Sequence, residues 1–476
     1  MAKVLLPNRF EALQNLAEGF EALQSIVRPV TAALTALDEI YDDMEGAGQG
    51  AFLVLSGASG SGKSTFLHTL KLFREGVRTL AVAPEQPVGE ALEELNASAD
   101  RLRVIVLAGR EAADSTTEAE LDRALHAINQ FLRTREGRNS LVVWPTNSET
   151  VLQTILAKAA QVGGEALLGI YPAGLRFEGP PKREYVDIAR GTVQALNEGA
   201  SLIALGVTET RATELAEQAP TLGAFLQSLR EEERRSRTAL LNLLPARERY
   251  NLWVVVVAGN DPEDAVGTLT SGAHFSADVD RLLASTDANV VQDLRRYPAK
   301  LGILGRSFDA RILYVPFMTA MALVRDLADD ATSTRLAAAG VPMKRTGDGV
   351  RRLGESQLAR ALRGEAVTTR AVGAKPGDDR RKEFARLTQF AKTDDGSLNR
   401  LFGEGLRQLG LVDAYRSEVE LGAAYTRATD LFCTTRGESV RLEFMWRAET
   451  SVGEIAQYFL QKLYHYGKAI GFLNGH

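Results

Sequence analysis

The residues with the clearest chemical purpose run Gly57-Ala58-Ser59-Gly60-Ser61-Gly62-Lys63-Ser64-Thr65. The spacing is Gly-x-x-x-x-Gly-Lys-Ser, directly after the apolar run Ala51-Phe52-Leu53-Val54-Leu55 and just before the helical Phe66-Leu67-His68-Thr69-Leu70. Glycines at those places let a loop turn its backbone N–H groups inward, and a helix N-terminus adds partial positive charge, so this strand–loop–helix is suited to gripping phosphate. Gly57, Ser59, Gly60, Ser61, Gly62 and Thr65 would form the cradle, Lys63 would reach the β- and γ-phosphates, and the Ser64 hydroxyl would sit on Mg²⁺. A plain Gly-rich turn capping a helix would have no need of Lys63.

A sheet has to hold that loop. The apolar runs Ala51–Leu55, Thr79–Ala83, Arg103–Leu107, Leu141–Trp144 and Ala166–Tyr171 read as buried strands. Helical patterns lie between most of them, as in Glu118–Thr134, where Leu121, Leu125, Ile128 and Leu132 share a face. Strands alternating with helices predict an α/β domain with a parallel sheet over residues 46–178. That stretch resembles the P-loop NTPase superfamily, and the resemblance implies ATP as ligand, Mg²⁺ as cofactor and ATPase activity. Gly-x-Ser-Gly-Ser-Gly-Lys-Ser-Thr is similar to the form in ABC ATPases and some small-molecule kinases, but no Leu-Ser-Gly-Gly-Gln occurs anywhere in the chain. The later strands look more like an AAA+ or STAND module. There, Thr146-Asn147 at a strand end is similar to a sensor-1 pair, which implies that Asn147 orients the attacking water. The competing role for Asn147 is to cap the helix that begins near Glu149. After Val104–Leu107 the resemblance calls for an acidic pair, and Ala108-Gly109-Arg110-Glu111 supplies only Glu111 as base or water polariser, with Asp114 in reserve. The Asp expected ahead of Glu111 is missing, which points to slow hydrolysis or a switch. Arg110, Arg135 and Arg138 are candidates for an arginine finger toward a neighbour's γ-phosphate, with an ordinary surface role as the alternative.

A second group of residues lies near the C-terminus. Lys382–Leu421 reads as one or two helices, with Phe384, Leu387, Phe390, Leu398, Phe402, Leu406 and Leu409 spaced for burial. Ala428–Thr435 and Val440–Arg447 read as strands joined by the hairpin-like Arg436-Gly437-Glu438-Ser439. A helix follows, marked by Ile455, Phe459, Leu463 and Tyr466, and it also carries Gln457, Gln461 and Lys462. This order resembles the PD-(D/E)xK nuclease fold over residues 380–476. The resemblance implies that Asp430 and Glu443 ligate Mg²⁺ and activate water against a phosphodiester. Met445 occupies the place of the family's lysine. Arg447, on the same strand face as Glu443, or Lys462 from the helix would stand in for it, and Glu404 or Glu418 would add a carboxylate. The plainer alternative makes Asp430 a turn or edge residue and pairs Glu443 with Arg441 or Arg447.

The 476 residues exceed one ordinary core. The expected organisation is an N-terminal helical segment (1–45), the nucleotide-binding domain (46–178), a helical region (179–250) and a middle α/β region (251–328) holding Trp253–Ala258 and Arg311–Val315. A basic linker (329–379) and the nuclease-like α/β domain (380–476) complete it. At the start, Phe10-Glu11-Ala12-Leu13-Gln14 recurs as Phe20-Glu21-Ala22-Leu23-Gln24, an apolar stripe for the core or a partner subunit. Glu231-Glu232-Glu233-Arg234-Arg235 reads as an exposed helix face. Net charge is −5, but Val341–Arg400 holds fourteen Lys/Arg against eight Asp/Glu, and a basic segment of that kind suits a DNA backbone or serves as a solvated linker. The apolar run Trp253–Ala258 is far too short for a membrane helix, and the first twenty residues have no secretory pattern. A single cysteine, Cys433, leaves no disulfide framework, so the cytoplasm is the expected location. Taken together, the modules suggest ATP control of a DNA-acting nuclease-like domain. Defence against foreign DNA in bacteria follows only by analogy of module pairing, with change of oligomeric state or a partner protein as the route of control. The alternative is a P-loop switch ATPase or small-molecule kinase whose C-terminal domain is an interaction platform.

Overall fold

The computed structural model describes residues 4–8, 10–16, 23–24, 26–112, 116–169, 174–243, 251–260, 262–295, 298–366, 377–422, 425–435 and 437–473. The fold is mixed α/β in two compact units. One comprises Leu6–Leu196 with Glu214–Ser228; the other comprises Met1–Leu5, Asn197–Thr213 and Leu229–His476.

The first unit is built on five parallel strands: β1 (Ala51–Ser56), β2 (Val77–Val82), β3 (Leu102–Leu107), β4 (Ser140–Thr146) and β5 (Gly174–Arg176), in the order β2-β3-β4-β1-β5. Leu53, Val54, Val104, Ile105, Leu141, Val142 and Val143 are almost wholly buried, as expected of strands covered on both faces. The helix Glu118–Leu132 starts at a capping box, in which Thr117 accepts from the Glu120 N–H and Glu120 accepts from the Thr117 N–H. The expected strand at Ala166–Tyr171 is not formed over its described residues, 166–169. Glu165–Leu168 is a short helix with Leu167 buried, β5 begins only at Gly174, and residues 170–173 lie outside the description. A short apolar run suits a buried helical turn as well as a strand. At the N-terminus Leu13, Ile26 and Val27 cluster together, while 17–22, most of the second Phe-Glu-Ala-Leu-Gln copy, lie outside the described residues.

The second unit corrects the expected division into regions. Its seven-stranded mixed sheet has the order β10-β11-β12-β6-β9-β8-β7, where β6 is Leu252–Ala258, β7 Thr270–Ser271, β8 Ser276–Ala277, β9 Arg311–Tyr314, β10 Ala414–Gly422, β11 Tyr425–Thr435 and β12 Glu438–Arg447. Strand β6 lies parallel between β9 and β12, so the stretches 251–328 and 380–476 share one sheet and one core. Every residue of β6 is buried; such a strand needs neighbours on both edges, and the C-terminal hairpin supplies one. The expected linker is also structured. Asp330–Ala338, Gly349–Gly354 and Gln357–Arg363 are helices that bury Leu336, Leu353 and Leu358 completely, while residues 367–376 lie outside the description. Nor is Glu231–Arg235 a freely solvated face. Glu232 pairs with Arg211 at 2.8 Å and Glu233 with Arg306 at 2.8 Å, the latter with both side chains largely buried.

The helix Asp378–Gln408 carries the predicted apolar face, is interrupted at Asp394 (φ −153°, ψ 64°), and ends well before Leu421, so Glu418 stands on β10. Asp394 accepts from the Ser397 N–H at 3.1 Å, capping the second half of the helix. Phe402 from that half is fully buried, with its ring 4.9 Å from Phe444 and 5.7 Å from Trp446, while the Trp446 indole N–H donates to Asn399 at 2.9 Å. No helix among the described residues is long and apolar enough to cross a membrane. Phe402→Ala is expected to lower unfolding stability by about 3–5 kcal/mol in chemical denaturation, and a loss under about 1 kcal/mol would show that these rings are not a packed core.

Candidate functional site

The loop 57–62 leaves the C-terminal end of β1 and runs into the helix Lys63–His68. Gly62 has φ +99°, a conformation open to glycine at little cost, and a Cβ at Gly57 would meet the Phe177 carbonyl at 2.4 Å. Gly60, at φ +78°, lies against the start of the helix Leu222–Leu243, where the Gly223 N–H donates to the Gly60 carbonyl at 2.8 Å. Lys63 is buried, and its ammonium donates to the carbonyls of Gly57 (2.6 Å) and Ala58 (3.1 Å) and to Asn147 Oδ1 (2.8 Å). Burial lowers its pKa, and Glu111 nearby partly restores it. Ser64 is exposed, whereas the Ser61 hydroxyl is buried without a partner.

Strand β4 lies beside β1, so the residue that follows it arrives at the loop. This settles the competition over Asn147. The helix Glu149–Gly163 is capped by Ser148, whose hydroxyl accepts from the Val151 N–H at 3.4 Å, and the Asn147 amide is left to meet Lys63. Glu111 is held in the same place through its backbone carbonyl, which accepts from Thr146 Oγ1 (3.2 Å) and the Asn147 N–H (3.1 Å). Ser59–Thr65, Glu111 and Asn147 line one cavity of about 440 Å³, whose other walls include the apolar Val27, Val30, Phe66, Ile188 and Leu226. The loop, the lysine, a carboxyl and an amide therefore meet in one place.

The three arginine candidates lie away from that cavity. The Arg110 guanidinium is buried and donates to the carbonyls of Val82, Ala83, Pro84, Gln86 and Ala108, stapling the loops after β2 and β3. Arg135 and Arg138 are exposed in the turn before β4, at the end of the parallel strands opposite the glycine loop. Asp114 lies outside the described residues.

In the other unit Asp430 and Glu443 follow directly on the paired Leu431 and Leu442 of β11 and β12, which places them opposite each other on one sheet face. The helix Val452–Ala469 lays Tyr458, Lys462 and Tyr466, spaced four apart, over that face. Lys462 bonds Glu443 Oε2 and stands 3.7 Å from Asp430; Tyr466 donates to Glu443 Oε1 at 2.6 Å, and the Phe444 N–H donates to Asp430 Oδ2 at 2.6 Å. Glu443 is fully buried. Burial, and then the facing Glu443, push the Asp430 carboxyl up to about 8, against the pull of Lys462 and the Phe444 N–H. Burial draws the Lys462 pKa down, but Glu443 and Asp430 outweigh it and raise the pKa.

Of the two candidate cations, Lys462 is the one that meets the carboxyls. Arg447 is exposed, and its guanidinium donates to the Trp446 carbonyl at 2.8 Å. Glu404 is engaged with Arg407, Gln408 and Tyr415, which hold it down at about 2. Glu418 faces Gly396. Gln457 and Gln461 are exposed. A residue the sequence reading missed is Asp395, at the helix interruption, whose charge acts on Asp430, Tyr458 and Lys462. The only signal for it was the turn-like Thr393-Asp394-Asp395-Gly396-Ser397 inside a helical pattern. As a Mg²⁺ site the pair is a poor fit, because both Glu443 oxygens are engaged and an ammonium stands between the carboxyls.

A carboxyl whose pKa is raised on folding adds stability that is complete below its unfolded value and is lost as pH rises through the folded one. Relative to Asp430→Asn, the native chain is thus expected to lose stability between about pH 4 and about pH 8. Urea unfolding at pH 5 and pH 8.5 checks this, and an equal difference at both would contradict it. No protein-family model matches the chain, and no curated protein matches it.

Proposed function

We propose that this chain is a nucleotide-binding P-loop protein that takes ATP with Mg²⁺ at Gly57–Thr65 and hydrolyses it slowly, as a switch. The observation that carries the proposal is the meeting of Lys63, Asn147 and Glu111 in one cavity with the glycine loop. In this reading the loop N–H groups and Lys63 hold the phosphates, and the exposed Ser64 hydroxyl contributes one ligand to a Mg²⁺ that keeps several waters. Asn147 positions the attacking water, Glu111 polarises it, and the apolar walls receive the nucleoside. Arg110 in place of the acidic neighbour of Glu111 removes one metal-side carboxylate and accounts for slow turnover.

Lys63 exchanges the Gly57 and Ala58 carbonyls for phosphate oxygens when ligand binds, so it belongs to the ligand rather than to the core. Lys63→Ala is expected to weaken ATP binding at least a hundredfold with unfolding unchanged, and Asn147→Ala to keep binding while slowing hydrolysis about tenfold or more. Calorimetry showing native affinity in Lys63→Ala would end the nucleotide reading.

The unit holding Asp430 and Glu443 is the part that the nucleotide would control. Because Lys462 fills the place between its two carboxyls, we read it as a non-catalytic module. A nuclease acting on foreign DNA is the second reading, favoured by the meeting of Asp430, Glu443 and Lys462 on two adjacent strands and the following helix. Incubation of plasmid with Mg²⁺ or Mn²⁺, with and without ATP, separates the two. The first expects no cleavage under any of these conditions; cleavage by the native chain that Glu443→Ala abolishes establishes the second.

A further inference from the structure

We propose that Lys462 is the resident cation of the Asp430–Glu443 pair, so that the native chain binds no divalent ion there and balances the charge of this sheet internally. Two carboxyls directly opposite on neighbouring strands repel each other unless a positive charge stands between them. A divalent ion is the usual external answer, and it demands several oxygens with free lone pairs. Here three of the four carboxyl oxygens already accept a hydrogen bond within the chain. Glu443 accepts from Lys462 and Tyr466, Asp430 accepts from the Phe444 N–H, and the remaining Asp430 oxygen faces the ammonium at 3.7 Å.

The lysine is also held from its own side. Its ammonium lies 5.3 Å from the centre of the Tyr458 ring one turn earlier, and the Tyr458 hydroxyl is fixed on the Phe444 carbonyl at 3.0 Å. One turn later Tyr466 is buried, with its hydroxyl between Glu443 and Thr429. The stem thus stays where the helix docks on the sheet. A buried carboxyl must be paired, and removing one partner of such a pair is far costlier than exchanging both. Glu443 has found its partner within the chain. This inference does not depend on the nucleotide reading, because it concerns the other unit alone.

The test is a titration of the full nucleotide-free chain with Tb³⁺, read by luminescence sensitised through Tyr458, Tyr466 and Trp446, and repeated with Mn²⁺ by electron paramagnetic resonance. The native chain is expected to show no saturable site that Asp430→Asn removes; ions that survive Asp430→Asn are bound elsewhere and leave the expectation met. Lys462→Met is expected to gain one ion per chain, held at least tenfold more tightly than by the native chain, with a rise in Tm on adding the ion. The gain should vanish when Glu443→Gln is added, and Lys462→Arg should behave as native. A native site of one ion per chain that Asp430→Asn abolishes would overturn the proposal, as would a folded Lys462→Met that takes no ion. If Lys462→Met folds only with Mn²⁺ present, the proposal is supported; if it folds under no condition, the native titration decides.

Discussion

A lysine ammonium taken out of water must have oxygen around it, and that requirement organises the chemistry at both ends of this chain. Lys63 meets it with two carbonyls of its own loop and the Asn147 amide, neutral acceptors that a stronger anion can replace. Lys462 meets it with Glu443, a charged acceptor backed by Tyr466 and faced by Asp430. The same side chain therefore suits opposite purposes. A cation resting on carbonyls is ready for a ligand, whereas one resting on a buried carboxyl is already committed.

The glycine-rich loop was legible because everything that shapes it is local. Glycines, lysine and serine follow one another in sequence, and the flanking apolar run and helical pattern place them without reference to the rest of the fold. Asn147 was half legible. Asn147 and Ser148 both cap helices well, and only the first-turn donor that Ser148 satisfies shows which of them is free. The opposition of Asp430 and Glu443 was not legible, because a turn over Arg436–Ser439 would set Asp430 against Met445, whereas the observed pairing of Thr435 with Glu438 sets it against Glu443. The choice of Lys462 over Arg447 could not be read, because it depends on how a helix docks across a sheet. Arg447 shares the strand parity of Glu443 but lies at the exposed end of the strand.

The misread regions share a cause. The three helices between Asp330 and Arg363 are six to nine residues long, and each buries only a few apolar side chains, so no stripe stands out from the Gly- and Arg-rich background. Ala166–Tyr171 was short and apolar, which favours neither helix nor strand. The partnership of β6 with β12 left no trace in either segment. Both are simply buried runs, and parallel pairing has no connecting turn to announce it.

That partnership has a consequence for how the protein is made. Leu252–Ala258 leaves the ribosome long before Glu438–Arg447, roughly 180 residues later, and at bacterial-scale synthesis rates the wait is on the order of ten seconds or more. Throughout that interval one edge of the most apolar strand in the unit is unpaired, and an open strand edge invites the wrong neighbour. A chain that ends before the C-terminal hairpin therefore lacks the parallel neighbour of Leu252–Ala258 and keeps that edge open.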